Sequence, residues 1–457
     1  MPSEIVKRSS VTILGGGLCG ALLAIMLARR GIEVVLLERQ PDPRIKVVAS
    51  GRSINLVLAA RGIRALKKAA VMERVESLLV PMRGRLIHAV DGSTEFHAYG
   101  SREHEVIHSV SRAELNRVLI EAADKQPGVE IRFEHEAHAY FPDETRLRIR
   151  DLANERDYDI EASPLIAADG AGSVVRRAYT GRNTIGANEE LLAHSYKELA
   201  VAAGPGGEFR MDPGALHIWP RGGFMLIALP NPGGDFTLTL FLPNEGNNSF
   251  AGLTDDENVT NFFEEYFVDV LPLIDDLPGT WQRHPVGILG TVRSRHWHDG
   301  GKVLLIGDAA HAIVPFHGQG MNLSFEDCVV LDEALDAPEA GWDQVFENFE
   351  KAQMANANAI ADMALENYVE MRDTVRDPKH VLRHALAFEL EKRLPTRFIP
   401  RYSMVMFHDE IPYAVARDRG ALQQRLLEEL TEPAETLDEI DLDAAVRLSE
   451  SRLPSIN

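Results

Sequence analysis

Apolar and polar residues follow two different periods along this chain, and the switches between them mark its elements. Val11 to Leu14 is a short unbroken apolar run, the pattern of a strand buried on both faces. An apolar helical run follows, and Ile-Glu-Val-Val-Leu-Leu-Glu at 32–38 reads as a second buried strand that ends in an acid. A helical pattern is expected around 59–79, then strands at 83–88 and 96–99 about a turn at Asp91-Gly92. Residues 111–125 read as a helix with Ser111 as N-cap and Glu114 as its capping-box partner. Strands are expected around 130–134, 145–151 and 163–168. Residues 190–245 alternate, as in Phe236-Thr237-Leu238-Thr239-Leu240-Phe241, and predict an antiparallel sheet with one covered face. A helix over 257–275, a buried strand at 302–307, long helices over about 321–336 and 341–375, and an acidic helical tail from about 415 complete the pattern.

The segment between the first strand and its helix carries the first candidate chemistry. Gly15 lets the chain turn tightly off the strand, Gly17 lets the backbone approach a pyrophosphate, and Gly20 lets the helix pack on the strand. The new helix aims free N–H groups at the phosphates. Glu38, at the end of the second strand, can accept hydrogen bonds from ribose hydroxyls. Strand, glycine turn, helix, strand and acid together make a dinucleotide site, open at this point to either NAD(P) or FAD.

Composition narrows the picture. At 457 residues the chain is too long for one core, so two or three units are expected. Its net charge of −21 argues against nucleic acid and against an anionic membrane as partners. The two cysteines, Cys19 and Cys328, give no disulfide framework and suit a reducing cytoplasm. No signal peptide and no membrane-spanning run is read from the sequence. His296 and His298 flank Trp297 without further ligands, and no metal is expected.

Two later segments repeat the motif of a buried strand ending in an acid. At 165–176 a strand delivers Asp169-Gly170 to a turn, with Ser173 and Arg176 on the helix beyond. At 303–322 a strand ends in Asp308, placed for a ribityl or ribose hydroxyl, and a helix starts at Gly320-Met321-Asn322. That helix start could stabilise negative charge on a reduced flavin. The antiparallel sheet interrupts the βαβ pattern between these segments, a layout that points toward FAD.

The three segments, in order, resemble the class A flavoprotein aromatic monooxygenases, the family of p-hydroxybenzoate hydroxylase. The resemblance implies an α/β fold: a Rossmann-like FAD-binding domain of the GR2 type, an inserted antiparallel β-sheet substrate domain, and a C-terminal helical region. It implies FAD-binding parts at 1–80, 106–185 and 293–375, the last including the long helix. Substrate-domain strands are expected at 81–105, a substrate-binding antiparallel sheet at 186–292, and the helical region at 376–457. It also implies tightly bound FAD, NADPH as transient co-substrate, and O2.

Further strings narrow the resemblance to the members that hydroxylate L-kynurenine to 3-hydroxykynurenine. They include Gly-Arg-Ser-Ile-Asn-Leu at 51–56, Met-Arg-Gly-Arg at 82–85, Pro-Phe-His-Gly-Gln-Gly-Met-Asn at 315–322, Leu-Glu-Asn-Tyr-Val-Glu-Met at 365–371 and Pro-Thr-Arg-Phe-Ile-Pro-Arg-Tyr at 395–402. What this implies is that Arg83, Tyr99, Asn367 and Tyr402 hold the amino-acid end of the substrate, and that Phe316 and His317 lie between flavin and substrate ring. It adds Arg52 and Arg112 near FAD, with Leu18, Arg39 and Asn55 in the same cofactor set. No protein acid or base is assigned, because the flavin supplies the chemistry. A structural ion pair of Arg83 with Glu366 is the alternative for that arginine. Eukaryotic members end in a membrane-anchoring helix. This chain ends in an acidic tail, so a bacterial cytoplasmic enzyme without an anchor is expected. Another aromatic substrate, or a flavin reductase on the same fold, is the rival expectation.

Overall fold

In a computed structural model of the chain, residues 10–45, 55–100, 102–182, 184–337, 341–374 and 377–456 are described. The chain divides into two compact units: residues 1–78, 110–191 and 290–358 form unit 1, and residues 79–109, 192–289 and 359–457 form unit 2.

Unit 1 is built on a six-stranded sheet in the order His298–Asp299, Val303–Leu305, Leu165–Ala167, β1 (Val11–Leu14), β2 (Val34–Leu37), Val129–Arg132. All neighbours run parallel except the short His298–Asp299 edge. The central strands are apolar because both faces are covered. Val11, Ile13, Leu36 and Leu165 are fully buried or nearly so, as is the run from Gly20 to Leu27 on α1 (Leu18–Arg29). Ser111 caps the helix Arg112–Asp124, its hydroxyl accepting the Glu114 N–H at 3.4 Å. Unit 1 also carries an antiparallel sheet of His135–Phe141, Arg146–Asp151 and Arg156–Glu161. Its outer strands escape the pattern reading because their charged residues pair across the sheet, as Arg146 and Arg148 do with Asp159.

Unit 2 holds a run of strands ordered Phe236–Pro243, Met225–Pro230, Ala215–Pro220, Gly84–His88, Thr94–Ala98, with residues 194–201 paired along Phe236–Pro243. The strands of residues 190–245 pair antiparallel as expected, and Gly84–His88 joins them parallel to Ala215–Pro220. These two strands come from distant parts of the chain, so no hairpin dictates their direction. Trp219, Phe236, Leu240, Phe263 and Phe267 centre the core. The helix expected over 257–275 stops at Tyr266 and gives way to the short turn Leu271–Leu273 and the helix Leu277–Arg283. The helices Pro378–Arg393, Tyr413–Thr431 and Leu442–Arg452 pack around Leu386, Leu390, Phe398 and Leu426. The long helix Trp342–Val369 ends in a wider π turn, Glu370–Thr374. No helix among the described residues is long and apolar enough to cross a membrane.

A buried polar chain crosses the unit 2 sheet. His217 Nε2 faces the Asp212 carbonyl at 2.8 Å, so this nitrogen carries the proton, and Nδ1 accepts from His88 Nε2 at 2.9 Å. His88 Nδ1 in turn meets Asp269 at 2.7 Å. Burial pushes the His217 pKa down to about 4. The unfolded chain takes up a proton here below about pH 6.5, whereas the folded chain resists protonation until about pH 4. The stabilising contribution of His217 is therefore complete above pH ~6.5 and is lost as pH falls toward about 4, on the order of 3 kcal/mol in all. His217→Gln is expected to flatten the fall of thermal midpoint across that window. Identical slopes in the two proteins would refute this.

Candidate functional site

In unit 1 the candidate residues gather at one edge of the sheet. β1, β2, Leu165–Ala167 and Val303–Leu305 all end on the side where Gly15, Glu38, Asp169 and Asp308 follow, which is where an open parallel sheet binds ligands. Gly15 adopts φ +104°, and a Cβ there would stand 2.4 Å from the Ala168 carbonyl oxygen. A Cβ on Gly20 would stand 2.0 Å from the Gly15 oxygen. Gly17 is different: a Cβ there meets nothing within 4 Å. Open space therefore lies over the start of α1, whose N-cap, Gly17, offers no side chain to its first N–H groups. Leu18 is part of that first turn and is half-buried.

Glu38 braces the glycine turn. Gly16 N–H donates to its Oε2 at 2.7 Å and Gln40 N–H to its Oε1 at 2.7 Å. An ionised carboxylate offers about four acceptor positions, which leaves room for ribose hydroxyls. Arg39 beside it is exposed. Asp169 accepts the Val174 N–H on Oδ2 at 2.8 Å, while its buried Oδ1 finds no hydrogen-bond partner among the described residues. Burial raises its carboxyl above the usual range. Asp308 exposes its surface to solvent, yet enough protein crowds it that desolvation raises its carboxyl, against the charges of Arg112 and His311. An acid that is both open and crowded lines a concavity.

Asn322 has a structural task. Its Oδ1 accepts the Ala59 N–H at 2.9 Å and its amide donates to the Val57 and Gly318 carbonyls at 2.8 and 3.0 Å. It thereby ties the strand Asn55–Leu58 to the helix Gly320–Ala334. Gly320, Met321 and Asn322 form the first turn of that helix, which Gln319 does not cap with its side chain. Asn55 is buried on its strand. Phe316 and His317 are buried on the turn Pro315–His317, also in unit 1. Arg52 lies outside the described residues.

These features fit a flavin dinucleotide. The open space over Gly17, the steric need for glycine at 15 and 20, and an Asp169 Oδ1 without a partner among the described residues describe a cradle for pyrophosphate and ribose groups.

Unit 2 gathers a second set, in which a different arginine stands beside the expected tyrosines. Arg83, expected to hold the substrate's acidic end, is exposed, and its backbone is engaged on both sides. Its N–H donates to the Gly214 carbonyl at 2.7 Å, and its carbonyl accepts the Tyr99 N–H at 3.0 Å. Its alternative partner, Glu366, pairs with Arg401 at 2.5 Å. The arginine brought to Tyr99 and Tyr402 is Arg85. Its side chain is 11% exposed and its guanidinium carbon lies 4.8 Å from the Tyr402 ring centre and 5.7 Å from that of Tyr99. The two tyrosine rings stack at 5.2 Å. Gly84 opens the strand, paired with Ala98 and Ala215, and so seats Arg85 within the sheet while Arg83 stays in the corner before it.

The charge on Arg85 is only loosely matched. Glu370 is its nearest acid, 3.5 Å away, and reaches His380 at 3.8 Å. Burial raises the pKa of both phenols, so Tyr99 and Tyr402 stay neutral hydrogen-bond donors. The Tyr99 hydroxyl is buried beside Tyr402 and Arg85. Asn367, one turn before Met371, is buried and donates to the Met371 sulfur at 3.2 Å. A buried guanidinium, two phenols and a carboxylate can together receive a small zwitterion. Sequence reading missed Arg85 and Glu370. The signal that could have found Arg85 is Gly84, whose Cβ would meet the His97 carbonyl oxygen at 2.4 Å and which therefore must begin the paired strand.

Comparison with known proteins agrees with the cradle. The FAD binding domain family matches residues 8–363. The chain is 46% identical over 452 residues to kynurenine 3-monooxygenase of Xanthomonas axonopodis pv. citri (strain 306), covering 99% of each chain. It is 46% identical over 451 residues to the protein of the same name from Xanthomonas campestris pv. campestris (strain B100), covering 99% of this chain and 98% of that one. Among solved structures, the tetrameric form of 2-methyl-3-hydroxypyridine-5-carboxylic acid oxygenase superposes with a TM-score of 0.66 at 19% identity, over 84% of this chain and 97% of that one. PqsL of P. aeruginosa in complex with 2-aminobenzoylacetate gives a TM-score of 0.64 at 22% identity, over 80% of this chain and 97% of that one. These two show likeness of fold.

Proposed function

The chain belongs to the kynurenine 3-monooxygenase family of proteins with an FAD-binding domain, and from that premise we propose that it hydroxylates L-kynurenine to 3-hydroxykynurenine, consuming NADPH and O2. The chemistry that FAD supplies when bound is acceptance of a hydride from NADPH and delivery of one oxygen atom to the ring carbon beside the substrate's amino group. The rest is the work of this chain's residues.

Gly17 and the first turn of α1 would hold the pyrophosphate, Glu38 and Asp308 would take sugar and ribityl hydroxyls, and the Gly320–Met321–Asn322 turn would offer its N–H groups to the flavin. Asp169 contributes through Oδ1. Arg112 stays close enough to favour the ionised form of Asp308.

The observation that carries the substrate assignment is the largely buried Arg85 beside two stacked phenols, with Glu370 3.5 Å away. An amino acid presents a carboxylate and an ammonium side by side. Arg85 takes the carboxylate, Tyr99 and Tyr402 donate to it, and Glu370 takes the ammonium. In this reading Arg85 replaces Arg83 as the anchor, and Asn367 completes the grip. Because the phenols remain protonated, they donate hydrogen bonds and do not act as bases. Positioning and exclusion of water are the protein's tasks, since water at the flavin would divert reducing equivalents to hydrogen peroxide. The reading includes a cytoplasmic location, which the free thiols of Cys19 and Cys328 support.

The test is a visible spectrum of the purified protein, followed by product identification after incubation with L-kynurenine, NADPH and air. A flavin spectrum and 3-hydroxykynurenine are expected. A flavin spectrum with a different hydroxylated aromatic as the only product would assign another substrate, and no hydroxylation of any aromatic would leave a reductase.

A further inference from the structure

Asp327 sits on the helix Gly320–Ala334, wholly buried in unit 1 and unable to reach a bound molecule. Its carboxylate is nonetheless the hub of the corner that bears Asp308. Oδ2 accepts the Gly307 N–H at 3.0 Å and meets His311 Nε2 at 2.6 Å. Oδ1 accepts the Gln353 side-chain amide at 3.1 Å. Gly307 precedes Asp308 and His311 closes the short turn Asp308–His311, so one carboxylate grips the chain on both sides of Asp308.

We propose that Asp327 is a positioning residue of the FAD site, bracketing Asp308 through Gly307 and His311 so that its carboxyl is aimed before the cofactor arrives. Three features make the corner dependent on an outside clamp. Gly307 adopts φ +60°, a left-handed state that residues with a side chain rarely take, and a Cβ there would press Ser324 Oγ at 3.1 Å and Cys19 Sγ at 3.2 Å. The turn Asp308–His311 spans a single helical turn and has no side-chain cap of its own. His311 is buried against Trp297, with ring centres 4.8 Å apart, and its Nδ1 finds no partner among the described residues, so Asp327 is the group seen fixing its ring. Burial would favour the neutral imidazole, but the charge and hydrogen bond of Asp327, with Asp308 beyond, hold its pKa above the ordinary value. Two opposed charges thus lock the corner where water is excluded.

The inference rests on Asp308 facing the cofactor, as proposed above. It is tested by the FAD dissociation constant of each variant, from flavin fluorescence, beside thermal unfolding of the apoprotein. Asp327→Ala is expected to weaken FAD about 30-fold, because two buried donors lose their acceptor. Asp327→Asn keeps an acceptor for Gly307 and is expected to restore affinity to within about fivefold of wild type. Gln353→Leu removes the third contact without touching the bracket, so it lowers the unfolding midpoint while FAD affinity stays within about threefold. At saturating FAD, turnover of Asp327→Ala is expected to recover, since the clamp acts on retention. Should Asp327→Ala fail to fold, His311→Ala opens the bracket from its other end, with an expected loss of about tenfold. Wild-type affinity in the variant that folds, equal FAD loss in Gln353→Leu, or no gain from Asn over Ala would overturn the proposal. Asp308→Ala separates the two readings: if it keeps FAD, the role of Asp308 fails, and if it alone loses FAD, only the clamp fails.

Discussion

Arg85→Met is expected to raise the KM for L-kynurenine about 100-fold while the purified protein keeps its FAD. Methionine preserves most of the volume and removes the charge. A substrate carboxylate buried without its cation forfeits a charge-assisted pair, and truncating one partner of such a pair costs about 2–5 kcal/mol. The middle of that range corresponds to at least about 100-fold in binding. Glu370, 3.5 Å away, would then face the carboxylate without a cation between them and deepen the loss. Arg83→Met removes an exposed guanidinium and is expected to change KM less than about threefold. The two arginines stand two positions apart, and the contrast between them is the test. A large effect at Arg83 with none at Arg85 would return the anchor to the position that the motif alone suggests.

The second large effect is expected at Gly17. Its φ of −68° suits alanine, and the added methyl group meets nothing within 4 Å, so the Gly17→Ala apoprotein should unfold at the wild-type temperature. The same methyl group occupies the space over the first turn of α1 where the pyrophosphate belongs. Displacing the phosphates breaks several charge-assisted hydrogen bonds to backbone N–H groups, and FAD affinity is expected to fall about 100-fold or more. Gly20→Ala provides the opposite signature. Its Cβ would lie 2.0 Å from the Gly15 carbonyl oxygen, so the fold itself suffers and the apoprotein midpoint drops. Normal FAD content in Gly17→Ala would show that the cofactor lies elsewhere.

The glycine turn was legible in sequence because its demands are local. A strand must end, turn at positive φ and enter a helix within a few residues, and only glycine meets those demands at 15 and 20. The same holds for the Ser111 cap and for the acids that end parallel strands. What sequence could not settle lies in long-range pairing. Whether Arg83 or Arg85 enters the sheet depends on Gly84 meeting Ala98 and Ala215, the latter more than a hundred residues away. Glu366 looked available to Arg83 until the fold brought Arg401 to it. Asn322 was legible as part of a helix start, but not as the tie between that helix and the strand Asn55–Leu58. Asp327 and His311 carry no local pattern, and their bond appears only when the helix Gly320–Ala334 packs behind the Asp308 turn. The polar strands His135–Phe141 and Arg156–Glu161 escaped because charged Arg146–Asp151 binds them through pairs with Asp157 and Asp159 and through its arginines over Phe141, not through apolar alternation.

The account stands most directly on where the oxygen goes. Incubation of the purified yellow protein with L-kynurenine, NADPH and isotopically labelled O2, followed by mass spectrometry, should place one labelled oxygen on the ring carbon beside the amino group, with NADPH consumed in equal amount. Unlabelled product, or NADPH oxidation that yields hydrogen peroxide alone however much kynurenine is present, would contradict it.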